Sequence, residues 1–165
     1  MFDVEARSGV AADRPAQEMV NTSCCGLLAY RPPRELVWKD ARWGEGSGEF
    51  FFTYGHRTFD TLRLVAMDAA SGGTRTILTE TSPTFVEMNA RSGGIPNWRV
   101  IRNNREVVWF SERDGWGHLY RYDAASGALL NRITEGPWMV VDLLEVDEAA
   151  GWVFFTAVGR EEGRD

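Results

Sequence analysis

A chain of 165 residues can bury one real core, and its 44% apolar and 25% charged residues are ordinary for a globular protein. The net charge of −6 comes with no basic stripe, which argues against a nucleic-acid partner, and no apolar run approaches a membrane span. Seven Trp and nine Phe in short apolar runs, punctuated by 17 Gly and six Pro, favour many short strands over long helices.

In chain order, residues 2–9 read as a strand and turn that end a unit begun upstream. The opening residues lack the basic and apolar regions of a signal peptide. Residues 11–35, with Pro15, Pro32 and Pro33, read as a connection with room for one more short strand. Cys24 and Cys25 lie there. Adjacent cysteines make a strained disulfide, and two alone cannot build a zinc site, so they read as plain thiols.

The first whole unit has strands near 41–43, 49–54, 62–67 and 74–78, its first pair joined by the turn from Gly44 to Gly48. Residues 81–96 read as a surface connection. The second unit has strands at 98–101, 106–111, 118–122 and 128–133. Asn103-Asn104 and Ser126-Gly127 can turn there, since Asn and Gly tolerate positive φ. Two further strands, 140–146 and 152–157, flank a turn from Asp147 to Gly151.

The units repeat. Asp68-Ala69-Ala70-Ser71-Gly72 recurs letter for letter as Asp123-Ala124-Ala125-Ser126-Gly127, an offset of 55. Leu64-Val65-Ala66-Met67 and Leu119-Tyr120-Arg121-Tyr122 share that offset, as do Leu78-Thr79-Glu80 and Ile133-Thr134-Glu135, and Trp43 with Trp98. Serial four-stranded antiparallel units predict an all-β fold: a partial β-propeller of about two complete blades and two partial ones. The expected division is a blade end at 1–20, blades at 36–80 and 94–135, and a partial blade at 138–165. The frame opens late in one unit and stops midway through another, so the chain reads as a fragment of one propeller domain.

The run Phe110-Ser111-Glu112-Arg113-Asp114-Gly115-Trp116-Gly117-His118-Leu119-Tyr120-Arg121-Tyr122-Asp123 resembles the propeller of bacterial dipeptidyl-peptidase IV-type enzymes, members of the prolyl oligopeptidase family of serine peptidases. The likeness continues through Ile133-Thr134-Glu135-Gly136-Pro137-Trp138 and Val153-Phe154-Phe155-Thr156-Ala157. It also takes in Phe50-Phe51-Phe52-Thr53-Tyr54 and Ser82-Pro83-Thr84-Phe85-Val86, and is good from about Trp38 onward. The resemblance implies an N-terminal propeller that caps a C-terminal α/β-hydrolase domain. That domain supplies Ser, Asp and His, and the enzyme releases N-terminal dipeptides after Pro or Ala. It implies a peptide substrate and no cofactor, and it is compatible with a homodimeric parent. The compartment stays open, since related enzymes are often exported.

The chain itself reads as non-catalytic. No serine has Gly at both −2 and +2, as a nucleophile elbow requires. Ser111, Asp114 and His118 are the right residue types, but triad members converge from separated parts of a chain. Ser111, Glu112, Arg113, Asp114 and Trp116 read instead as a structural loop, fixed by local hydrogen bonds and with Trp116 packed on a neighbouring blade. His118 reads as a structural hydrogen-bond donor, and His56 as a loop residue. Neither histidine has a partner at metal-ligand spacing. The resemblance also brings a glutamate pair for the substrate's ammonium; Glu161-Glu162 read as a solvated turn rather than that pair.

In an up-and-down blade, the loop between strands two and three emerges on the same face as the crossover to the next blade. By analogy with the family this face meets the hydrolase, with Phe85, Asn89 and Arg91 nearest the substrate. The competing reading is a stand-alone propeller-type protein-binding module without peptidase activity. A weaker one is a translocation-linked propeller, in which the Ser-Glu-Arg-Asp-Gly-Trp run is not expected.

Overall fold

A computed structural model describes residues 18–21, 28–31, 36–56, 58–87 and 96–159. Among them every element is a β-strand apart from one 3-10 turn, and no helix is long and apolar enough to cross a membrane. The predicted strand and turn at 2–9 lie outside the described residues. Strands β1 (Glu18–Asn21) and β2 (Leu28–Arg31) pair antiparallel within the stretch read as a connection.

The first four-stranded sheet is a simple meander of β3 (Leu36–Trp43), β4 (Glu49–His56), β5 (Thr61–Asp68) and β6 (Thr74–Thr81). The second repeats that order with β7 (Trp98–Ile101), β8 (Glu106–Ser111), β9 (His118–Asp123) and β10 (Leu129–Arg132). A two-stranded sheet follows, of β11 (Met139–Asp147) and β12 (Trp152–Val158). These are open antiparallel sheets in series, as a partial propeller requires. His56 is the last residue of β4, paired with Leu36, and not a loop residue. The hairpin extends to it because β4 carries one rung more than β8.

Burial explains why the strands read as unbroken apolar runs. All of Val107, Val108, Trp109, Phe110 and Ser111 are buried, because β8 has a neighbouring layer on both faces. One core joins the first sheet to the second through Phe51, Leu64, Ala66 and Ile77 against Trp98, Val107, Trp109 and Tyr120. Another joins the second sheet to β11 and β12 through Ile101, Val108, Phe110 and Leu119 against Trp138, Val140 and Leu143. Each large apolar side chain fully buried this way contributes about 1.5–3 kcal/mol.

The two repeats superimpose in conformation at their third turn. In both, the first Asp accepts the Ser backbone N–H (2.6 Å at Ser71, 2.7 Å at Ser126) and the Ser hydroxyl (2.6 Å in each). Gly72 and Gly127 close the turns with φ of 68° and 71°, a left-handed backbone that favours glycine. Asp147 and Gly151 build a related turn between β11 and β12, with Gly151 at φ 74°.

The tryptophans break the 55-residue offset. Trp98 pairs with Trp109, and the rung equivalent to it in the first sheet is Ala41 with Phe52. Trp43 pairs with Phe50 and corresponds to Val100. The extra rung of the β4–β5 hairpin shifts everything upstream of it by two residues. Trp43 is accordingly 54% exposed, whereas Trp98 is fully buried.

Candidate functional site: the loop face

One end of the sheets collects the β4–β5 loop, the crossover after β6 and the β8–β9 loop. Its centre is Glu80, near the end of β6. The Glu80 carboxylate accepts Trp109 Nε1–H at 2.6 Å and the Ser111 hydroxyl at 2.5 Å. Arg113 completes the set, its Nη2 3.4 Å from Glu80 Oε2 and its Nε donating to Ser111 Oγ at 2.9 Å. Three donors on one largely buried carboxylate are worth more together than separately, because each is partly withdrawn from water.

Above this the loop locks itself. The Arg113 guanidinium lies 4.6 Å from the Tyr120 ring centroid and 5.6 Å from that of Tyr122. Tyr120 donates its hydroxyl to Asp114 at 2.6 Å, and Asp114 also pairs with Arg132 at 3.2 Å. Burial first, then the bond to Asp114, push the Tyr120 phenol up to about 12. Ser111, Arg113 and Asp114 thus tie the loop to Glu80 of the preceding sheet and to Tyr120 and Arg132 of their own.

Trp116 is 45% exposed, at the tip of a loop turned by Gly115 at φ 86°. Glu112 stands beside it, exposed. Burial raises its carboxyl above the ordinary value, and the neighbouring charges of Glu87 and Glu80 raise it further.

His118 is fully buried and structural. Its Nδ1 lies 3.0 Å from Thr134 Oγ1, and its Nε2 lies 3.0 Å from the Gly136 carbonyl. The Gly136 carbonyl can only accept, so His118 donates to it from Nε2, and in the neutral ring Nδ1 accepts the Thr134 hydroxyl, whose oxygen also accepts Leu119 N–H at 3.0 Å. Trp138 meets the imidazole edge-on at 5.1 Å. Ser111 is bound to Glu80 and Arg113, while His118 is bound to Thr134 and Gly136. Neither nitrogen of His118 is engaged as a base for Ser111, so no triad forms.

Phe85, the predicted crossover residue, is 49% exposed, and its ring centroid sits 5.6 Å from that of Phe59. Phe59 was not singled out by the sequence. It has φ 57°, uncommon for a bulky residue, and is held there by Val86 N–H on its carbonyl at 2.7 Å and by Ser82 N–H on Asp60 O at 2.9 Å. Val86, next to Phe85, is buried and roots the start of the crossover in the core. Asn89 and Arg91 lie outside the described residues, as do Cys24, Cys25, Glu161 and Glu162. Among the described residues no group of three or more His, Cys, Asp or Glu is placed to hold a metal ion.

The opposite end carries joints between the sheets, together with the exposed Trp43 and Trp152. Glu45 N–H donates to Asn104 Oδ1 at 2.8 Å, and Asn104 Nδ2 returns a bond to Glu45 O at 3.1 Å. Arg102 N–H reaches Glu148 Oε2 at 2.7 Å. Towards the next sheet, buried Asn97 holds β11 by two 2.8 Å bonds, to Val141 O and from Leu143 N–H. Arg99 donates to Pro96, Trp98, Leu143 and Leu144 carbonyls. Burial, then the nearby Arg42 charge, lowers the Arg99 guanidinium to about 10.

These features define a class: a scaffold of radially packed antiparallel sheets, stitched by polar clamps, with a rigid loop face and no assembled catalytic group among the described residues. The chain belongs to the family described as the dipeptidyl peptidase IV (DPP IV) N-terminal region, which it matches over residues 17–164. Two solved structures share its fold. One is a candidate dipeptidyl aminopeptidase IV from Bacteroides ovatus, with a TM-score of 0.66 and 19% identity over 82% of this chain. The other is dipeptidyl peptidase 4 from Porphyromonas gingivalis, with a TM-score of 0.59 and 23% identity over 75% of this chain. This chain spans only 22% and 17% of their respective lengths.

Proposed function

We propose that this chain is the non-catalytic propeller segment of a serine dipeptidyl-peptidase that releases N-terminal Xaa-Pro or Xaa-Ala dipeptides. In this reading the segment gates access to the C-terminal α/β-hydrolase domain of the parent protein, and the loop face is turned toward that domain and the peptide. Membership of the DPP IV N-terminal region family supports the parent's class. The observation that carries the gating role is the Phe59–Phe85 pair: two exposed rings, one on a positive-φ backbone, at the end where the loops gather. Strain of that kind is kept where surrounding contacts over-determine it, often at binding sites. Phe85 would contact the peptide directly; Asn89 and Arg91, outside the described residues, are the other substrate-facing residues of this reading.

The test uses a protein that carries this segment together with its hydrolase domain. Replacing Phe59 and Phe85 with Ala should raise KM for an Xaa-Pro substrate about tenfold with kcat retained, because binding common to ground and transition states is removed. Unchanged KM and kcat in a variant that melts like the parent would overturn the assignment of this face.

A further inference from the structure

Asp114-Gly115 is the only Asp-Gly step in the sequence, and no Asn-Gly step occurs. Glycine puts no Cβ beside its own nitrogen, so attack of that nitrogen on the preceding carboxyl is least hindered there. The Asp114 side chain is 46% exposed, within reach of the water that such chemistry releases and consumes. In the reaction Gly115 N attacks Asp114 Cγ. A Cγ–N bond forms, a Cγ–O bond breaks, and that oxygen leaves as water with the amide proton and the carboxyl proton. Water then opens the five-membered imide. Opening at the former Asp114 peptide carbonyl leaves a backbone that runs through Cβ and Cγ, with the mass unchanged.

The fold ties down both reacting groups. Asp114 Oδ2 accepts the Tyr120 hydroxyl at 2.6 Å and pairs with Arg132 Nη1 at 3.2 Å. Gly115 N–H donates to Glu112 O at 2.9 Å. Arg113, just ahead, is held by Ser111 Oγ and by the faces of Tyr120 and Tyr122. Closing the ring turns the Asp114 carboxyl onto its own backbone and frees the Gly115 amide, so it breaks these contacts. The Tyr120 phenol, pushed up to about 12 chiefly by burial, keeps its proton and its bond at neutral pH.

We infer that Asp114-Gly115 is this chain's site of aspartyl isomerisation, restrained in the folded protein by Tyr120, Arg132 and the Glu112 carbonyl. Conversion inserts a methylene into the backbone beside Gly115 and takes the side-chain carboxylate away from Tyr120 and Arg132. The loop that carries Trp116 then loses its anchor to β9 and β10.

The test incubates the full chain at 37 °C and pH 7. Isoaspartate is located by peptide mapping, where it shifts retention at constant mass, and its total by enzymatic isoaspartyl methylation. A synthetic peptide of residues 110–118 serves as the unfolded reference. Residue 114 should convert about tenfold slower in the chain than in the peptide, since reaction needs the loop to open. Tyr120→Phe and Arg132→Gln should each speed conversion in the chain about fivefold, the factor carried by one lost hydrogen bond. Circular dichroism confirms that each variant is folded at the incubation temperature. Should Tyr120→Phe not fold, Arg132→Gln, on the outer strand, reads the same restraint. Isoaspartate arising chiefly at another aspartate would overturn the site. Conversion at residue 114 as fast in the folded chain as in the peptide, or unchanged in both folded variants, would overturn the restraint.

Discussion

Glu80 and Trp109 join the two four-stranded sheets through a 2.6 Å hydrogen bond from the indole Nε1 to the carboxylate. The bond places a charge-assisted contact at the rim of the largest core, where the same carboxylate also positions Ser111 and Arg113. Glu80→Ala should therefore destabilise the chain by about 2–4 kcal/mol, since it leaves a buried indole N–H and a buried hydroxyl unsatisfied. Urea unfolding followed by Trp fluorescence measures it. A change below about 0.5 kcal/mol, the range of ordinary surface substitutions, would show that the clamp is ornamental.

The sheet-to-sheet joint at β11 should behave similarly. Asn97→Ala removes both of the side chain's hydrogen bonds to β11 and leaves a small void. The expected loss is about 2–3 kcal/mol. Amides of β11 and β12 should then exchange faster than those of β4 and β5, because the fault lies at one joint. Uniformly faster exchange would place Asn97 in the global core instead.

Acid stability should report the paired turns. Hydrogen bonds from Ser71 and Ser126 hold the Asp68 and Asp123 carboxyls below their ordinary value of 3.8. A lowered folded-state value stabilises the fold above the unfolded pKa and loses that contribution as pH falls through the folded one. The double variant Ser71→Ala/Ser126→Ala should thus lose stability at pH 6 and converge on the wild type as pH falls through the folded-state values of the two carboxyls. Carboxyl shifts followed by NMR should show both aspartates titrating higher. Unmoved titrations would contradict the hydrogen bonds.

Glu112 carries the opposite sign. Its raised carboxyl penalises the fold where it is ionised and relaxes that penalty as pH drops through the folded value. Glu112→Gln should raise Tm slightly at pH 7, and the gain should vanish near pH 4. Because the side chain is mostly exposed, solvent screening keeps the effect small. A gain that persists at low pH would point to packing rather than charge.

The strand pattern was legible because the two four-stranded sheets carry buried side chains on both faces, which turns their inner strands into apolar runs bounded by Gly and Asn turns. The repeat of Asp68–Gly72 at Asp123–Gly127 was legible for a local reason: the turn is made by its own residues. What the sequence hid is long-range. Nothing near Glu80 announces that Trp109, Ser111 and Arg113 converge on it from the next sheet. Trp43 and Trp98 share an interval by coincidence, since one extra rung between β4 and β5 is invisible to spacing. Phe59 escaped notice because its signal is a backbone angle, which no residue pattern announces.

The most direct measurement is release of p-nitroaniline from an Xaa-Pro-p-nitroanilide by the purified 165-residue chain. A propeller segment whose Ser111 is committed to Glu80 and Arg113, and whose His118 is committed to Thr134 and Gly136, predicts no release above buffer. Turnover that disappears in Ser111→Ala, with the fold retained, would contradict it.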